Sequence, residues 1–161
     1  MSLVISGGQT GADQGALRAA KSLDIATGGW APRDYRTETG VNQDLRTVYG
    51  LDEWDSSNYK ARTLQNVLLG DATLIIGKRS PGSNATEEFC RIHMKSWGWR
   101  MIGCAWPRNI IWHMQNDQAI VFTMRWLKEN NVKTLNVAGN RESVNPGIEE
   151  YTFNFIRRIL E

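Results

Sequence analysis

Four clusters in this 161-residue chain bring chemically capable residues close together. The first is Ser6-Gly7-Gly8-Gln9-Thr10-Gly11-Ala12-Asp13-Gln14-Gly15. It follows the apolar run Leu3-Val4-Ile5 and opens an amphipathic stretch. Glycines at such a turn let the backbone approach a ligand with no Cβ in the way. Amides at a helix N-terminus then favour an anion such as phosphate. Asp13 adds a carboxylate that could complement the helix dipole, bind a hydroxyl or hold a bridging cation. No Gly-Lys-Ser/Thr follows, so the segment is not a P-loop, and its glycine spacing is not the dinucleotide fingerprint. The plain alternative is a tight turn whose glycines serve packing. Four glycines within residues 7–15 exceed what a turn needs, and we read a ligand loop.

The second cluster is Ser80-Pro81-Gly82-Ser83-Asn84-Ala85-Thr86-Glu87-Glu88. Asn84 and Glu87 have the spacing of a capping box, with Asn in place of the usual Ser or Thr. A second helix N-terminus here, facing the first loop, would put two sets of amides around one anionic ligand. In the third cluster Tyr59, Arg62 and Asn66 fall at i, i+3 and i+7 and share a helix face. By spacing alone that face reads as solvated. The fourth, Ala138-Gly139-Asn140-Arg141-Glu142-Ser143, reads by itself as a strand exit, followed by helix capping at Asn145.

The elements that must position these clusters alternate. Strands are expected at 3–5, 25–27, 72–76, 101–105 and 134–138, and helices at 12–23, 57–69, 85–97, 115–130 and 146–160, from their apolar periodicity. Five strands alternating with helices predict an α/β domain over residues 1–161, a Rossmann-like, doubly wound and mostly parallel sheet with helices on both faces. In such sheets ligands bind beyond the carboxyl ends of the strands, and all four clusters leave that end. The long connection Trp30–Ser56 carries Arg33, Arg36, Glu38 and Arg46 among aromatic residues, and reads as an ordered binding loop.

Composition removes several function classes. Apolar residues make up 41% and the net charge is +2, which excludes a disordered chain and supplies no strong field for nucleic acid or anionic lipid. No run approaches the ~18 apolar residues of a membrane span. The N-terminus lacks the basic and apolar regions of a secretory signal, so a cytoplasmic protein is expected. Cys90 and Cys104 lack zinc-ligand spacing and read as buried thiols. His93 and His113 read as packing or surface residues, and there is no nucleophile elbow. Five of the seven tryptophans, at 97, 99, 106, 112 and 126, fit core packing and a subunit interface.

Taken in order, the blocks Ser6–Asp13, Gly28-Gly29-Trp30-x-Pro32 with Arg36, Glu38 and Gly40, Tyr59-x-x-Arg62-Thr63-x-x-Asn66-Val67, Asp71–Ile76, Ser80-Pro81-Gly82-Ser83-x-x-Thr86, and Leu135–Gly139 with Arg141-Glu142-Ser143 and Pro146-Gly147-Ile148 span nearly the whole chain. In these blocks the chain resembles the molybdenum cofactor carrier proteins. They belong to the SLOG superfamily of Rossmann-like nucleotide-ligand proteins, which includes the LOG-type cytokinin-activating phosphoribohydrolases. The resemblance implies a binding or carrier protein for a phosphorylated small molecule: the molybdenum cofactor, or another phosphorylated pterin or nucleotide. Gly7, Gly8, Gln9, Thr10, Gly11 and Asp13 would form one wall, and Gly82, Ser83 and Thr86 the other. Arg62 and Asn66 would hold the phosphate or ring, Arg36 and Glu38 would close over it, and Arg141 is a further candidate.

Two alternatives accompany this reading. One is a phosphoribohydrolase that cleaves the N-glycosidic bond of a nucleoside 5'-monophosphate, with Glu88, Glu38 or Asp13 as its carboxylate. The LOG motif Pro-Gly-Gly-x-Gly-Thr-x-x-Glu is kept only in frame, since Ser83 and Ala85 replace glycines and Phe89 stands at the catalytic Glu. The other is a sensor of a nucleotide-derived signal. The expected partners are a small phosphorylated ligand and further copies of the chain, with neither nucleic acid nor membrane.

Overall fold

The computed structural model describes residues 1–56, 58–93, 95–100 and 116–161. Its centre is a parallel sheet of β1 (Leu3–Ser6), β2 (Ala26–Gly28), β7 (Ala72–Ile76), β8 (Ser96–Arg100) and β9 (Thr134–Gly139), in the order β2-β1-β9-β7-β8. All five residues of β7 are buried, as a strand covered on both faces requires. The helices are α1 (Ala12–Ser22), α3 (Tyr59–Leu69), α4 (Pro81–Ile92), α5 (Asn116–Glu129) and α6 (Ile148–Leu160). Helices α1, α5 and α6 pack together, and α3 packs with α4. Right-handed crossovers place these two groups on opposite faces of the sheet.

Helix α6 buries Ile148, Thr152, Phe155, Ile156 and Ile159, one face at helical spacing. That face meets the alanine-rich side of α1 so closely that a Cβ on Gly15 would lie 2.3 Å from the Glu149 carbonyl oxygen. Numbered along the chain, the five strands run 2-1-5-3-4 across the sheet. Moving β9 and α6 to the front would turn this into 3-2-1-4-5, the core order of dinucleotide-binding sheets. The chain is thus a circular permutation of that winding.

Residues 30–53, between β2 and α3, form short regular elements. They hold β3 (Trp30–Ala31) paired with β6 (Asp52–Glu53), a hairpin of β4 (Arg36–Thr37) and β5 (Gly40–Val41), and the short helix α2 (Asp44–Thr47). Ala31, Tyr35, Leu45 and Leu51 form a second small core with Leu17 of α1. Burying each leucine contributes roughly 1.5–3 kcal/mol, which holds the excursion against the body.

Several expected boundaries shift. Helix α4 starts at Pro81, not 85, and ends at Ile92, not 97. Its capping box is Ser80 with Ser83, not Asn84 with Glu87: Ser80 is extended, Pro81 supplies a helix-ready φ, and the two serines bond each other's amides. The fourth strand lies at Ser96–Arg100, where it pairs with β7, in residues assigned to the preceding helix and its exit. The expected strand at 101–105 lies outside the described residues, as do Trp106, Trp112, His113 and Cys104. Helix α6 starts at Ile148 rather than 146. The amides of Gly147 and Glu149 are met by the Glu142 carboxylate, and the Ile148 amide donates to the backbone carbonyl of Asn145 at 3.1 Å rather than to its side chain.

Candidate functional site

In the permuted order the connections leaving β9 and β7 diverge, so the switch point of the sheet lies between these neighbours. A crevice of about 340 Å³ opens there. Its walls are the start of α4 (Ser80, Pro81, Gly82), the β9 exit (Gly139, Asn140, Arg141) and the first turns of α3 (Tyr59, Lys60, Thr63). The volume lies within the usual range of small-molecule sites. Gly82 faces open space, with nothing within 4 Å of where a Cβ would stand.

The floor beside this crevice is tied together by Asn140, which is 2% exposed. Its carboxamide accepts from the Lys78 amide at 2.7 Å and donates to the Lys78 carbonyl at 3.0 Å. Its own carbonyl accepts from the Ala12 amide at 3.0 Å. One residue thereby locks the loops after β1, β7 and β9 together. Sequence reasoning did not single it out. The available signal was an Asn placed just past a strand, where its amide can imitate backbone.

The glycine loop lies under the site rather than along its wall: residues 4–13 are all buried. The amides of Gln9 and Thr10 donate to the side chains of Asp13 and Gln9, each at 3.2 Å, and the Gly8 amide reaches Ser6 Oγ at 3.5 Å. Gly7 lets Arg62 and Asp13 approach: a Cβ there would lie 2.7 Å from Arg62 Nη1 and 2.8 Å from Asp13 Oδ2. Gly8 sits against Leu45 and Leu51, and Gly11 against the Asn140 carbonyl. These glycines serve close packing, and the amides of Gly8, Gln9 and Thr10 serve the protein's own oxygens. Neither bounds the crevice.

Helix α3 corrects the solvated-face expectation. Arg62 and Asn66 are each 3% exposed, because the glycine loop and Trp30 cover them. Arg62 Nη1 donates to the Gly7 carbonyl, while Arg62 Nε is buried without a hydrogen-bond partner. The Asn66 carboxamide is spent on the backbone of Trp30, accepting from its amide at 2.8 Å and donating to its carbonyl at 3.1 Å. Tyr59 keeps its ring exposed, with the Arg62 guanidinium 4.6 Å and that of Arg141 5.7 Å from the ring centre.

The carboxylates have separate fates. Burial pushes Asp13 up to about 6, against the opposing pull of Arg62, the Gln9 amide, Arg141 and Ser6. Burial also raises Glu38, but hydrogen bonds from Ser143 and Thr10 and the charge of Arg141 outweigh it and leave the carboxyl below its ordinary value. Glu38 thus stitches its loop to Thr10 and Ser143 instead of standing free. Glu88 is exposed on α4, away from the crevice lining. Ser83 and Thr86 are buried, the first in the capping box and the second bonded to the Gly82 carbonyl at 3.1 Å. Arg36 points to solvent beside Asp34, 3.7 Å away. Cys90 is buried and its thiol is pushed up to about 11 by burial, which leaves it unreactive. Among the described residues no cluster of His, Cys, Asp and Glu could hold a metal ion, and no helix is long and apolar enough to cross a membrane.

Known proteins share this fold. A crystal structure from Syntrophus aciditrophicus SB, described as a putative molybdenum carrier protein, is 32% identical to this chain. The match covers 100% of this chain and 96% of that one, with a TM-score of 0.85. No curated protein matches the chain. The model of the circularly permutated YpsA SLOG family matches residues 4–160, and the permuted strand order is the feature that description names. The chain belongs to the circularly permuted YpsA SLOG family.

Proposed function

We propose that the chain is a cytoplasmic binding and carrier protein for a phosphorylated small molecule of the pterin or nucleotide class, the molybdenum cofactor among them. The observation that carries this is the crevice at the switch point, where Lys60, Arg141 and the open start of α4 converge beside the exposed ring of Tyr59. A helix N-terminus with two cations suits a phosphate, and an exposed aromatic face suits a planar ring. The molybdenum carrier description of the similar structure points the same way. The residues that fit the ligand fit its phosphate and ring. The metal of such a cofactor would travel as part of the cargo. Asp13, Glu38 and Glu88 all lie off the crevice lining, which favours binding over N-glycosidic hydrolysis.

Mass spectrometry of small molecules that co-purify with the protein, followed by calorimetric titration of AMP and of a phosphorylated pterin, tests this reading. At least one is expected to bind, and Arg141→Ala is expected to weaken it. Release of free adenine from AMP at an enzymatic rate would overturn the carrier reading.

A further inference from the structure

Tyr59 borders a second cavity. A groove of about 410 Å³ runs along the start of α3 and the β3–β4 loop, lined by Pro32, Arg33, Arg36, Asn58, Tyr59 and Arg62. Three guanidinium groups line it against one carboxylate, Asp34, which stands beside Arg36. Arg33 is exposed and has no ion pair among the described residues. Arg62 is 3% exposed, and its Nε is a buried donor without an acceptor. A buried charged donor left unpaired is costly, and a ligand oxygen would relieve that cost. The arrangement is therefore more than a basic surface: the Arg62 cation is held in a fixed place by its Nη1 bond to the Gly7 carbonyl, and its Nε is left without an acceptor.

The two cavities share Tyr59 as a common wall. Arg141 belongs to the crevice and Arg62 to the groove, and both approach the same ring. We infer that the groove is a second anion subsite, so that the protein takes a ligand with two nucleotide-like ends joined through phosphates, one end in the crevice and the phosphate bridge reaching past Tyr59 toward Arg33 and Arg62. This rests on the crevice being a phosphorylated-ligand site, and it narrows the class from mononucleotide to dinucleotide. Each added charge-assisted contact raises affinity by about tenfold.

The test is calorimetric titration of the full chain with AMP, with diadenosine diphosphate and with inorganic pyrophosphate, each also against Arg33→Glu. Arg33 is exposed, so that variant is expected to fold. The dinucleotide is expected to bind at least about tenfold more tightly than AMP. In Arg33→Glu that advantage disappears, while AMP affinity stays as in the wild type. Equal affinity for AMP and the dinucleotide in the wild type would overturn the inference. So would an advantage that survives Arg33→Glu. If neither nucleotide binds but pyrophosphate does, and Arg33→Glu abolishes it, the subsite stands and the crevice reading falls. If none of the three binds, both fall.

Discussion

Asn140 and Lys78 are joined twice, through the Lys78 amide to Asn140 Oδ1 at 2.7 Å and through Asn140 Nδ2 to the Lys78 carbonyl at 3.0 Å. The pair bridges the exits of β7 and β9, the two strands whose divergence opens the crevice. Asn140→Ala removes both bonds and leaves two partly buried backbone groups without partners. The expected loss is about 2–4 kcal/mol of unfolding free energy. Urea denaturation at neutral pH measures it. Asn140→Asp keeps an acceptor for the Lys78 amide and should lose less. A loss below about 0.5 kcal/mol in the alanine variant would mean that the bridge does not hold the two loops.

Asp13 sets a pH dependence that a single substitution isolates. Its carboxyl goes from 3.8 in a free chain to about 6 when buried. The fold therefore prefers the protonated form. Below 3.8 both states are neutral and the group costs nothing. Between 3.8 and 6 the unfolded chain ionises first and stability falls as pH rises. Above 6 both states are charged and the loss is complete, at about 3 kcal/mol. Asp13→Asn carries none of this. Urea stability of both proteins at pH 4 and pH 7 should show the wild type losing about 2.4 kcal/mol more than the variant across that interval. Parallel profiles would show that Asp13 is not buried in the solution fold.

Two glycines separate folding from binding. A Cβ at Gly15 would stand 2.3 Å from the Glu149 carbonyl, backbone against backbone, so Gly15→Ala must push α1 away from α6. The expected cost is roughly 1–3 kcal/mol, read from the thermal or urea midpoint. A Cβ at Gly82 meets nothing within 4 Å, and alanine suits a helix better than glycine. Gly82→Ala should leave stability unchanged or slightly raised. Its methyl enters the crevice, so calorimetry should show weaker AMP binding. Unchanged AMP affinity in Gly82→Ala would remove the start of α4 from the binding site.

Where interactions are local, the sequence was a good guide. The apolar run Ala72–Ile76 coincides with β7, and α1 differs from its expected span by one residue. The start of α4 at Pro81 was placed four residues late, at 85, because Ser83 fills a capping position where Glu or Gln is usual and so hides the Ser80–Ser83 pair. The clusters lie at the carboxyl ends of the strands, where the crevice opens. Their division of labour was illegible for a physical reason: it depends on contacts between residues far apart in sequence. Arg62 looked solvated by helix periodicity, and it is buried because Gly7, 55 positions earlier, accepts its guanidinium. The glycines of residues 7–11 looked like a ligand cradle, and the space they open is taken by Arg62 and Asp13 at Gly7, by Leu45 and Leu51 at Gly8 and by the Asn140 carbonyl at Gly11. Residues 96 and 97 were read as helix because Ser96-Trp97-Gly98-Trp99-Arg100 has no aliphatic run, and the place of β8 is set by its register with β7.

Glu38 gives the last prediction, and its sign is opposite to that of Asp13. Its carboxylate accepts from Thr10 Oγ1, the Ser143 amide and Ser143 Oγ, and so ties the β4–β5 hairpin to the loops after β1 and β9. The Glu38 amide also donates to Gln9 Oε1 at 2.8 Å. Glu38→Ala cuts the side-chain tether and leaves the small core of Leu17, Leu45 and Leu51 intact. The hairpin should then open locally while global stability changes little, since elements near the surface open in small units. Hydrogen exchange should quicken over residues 37–42 by at least about tenfold, with the β7 and β9 amides unaffected. Because the fold holds this carboxyl below its ordinary 4.5, the tether is fully present above that pH and is lost as pH falls through the lowered value. Wild-type exchange in the hairpin should therefore approach that of the variant in acid, once corrected for intrinsic rates. If the two proteins exchange alike at neutral pH, the Glu38–Ser143 contact does not restrain the hairpin.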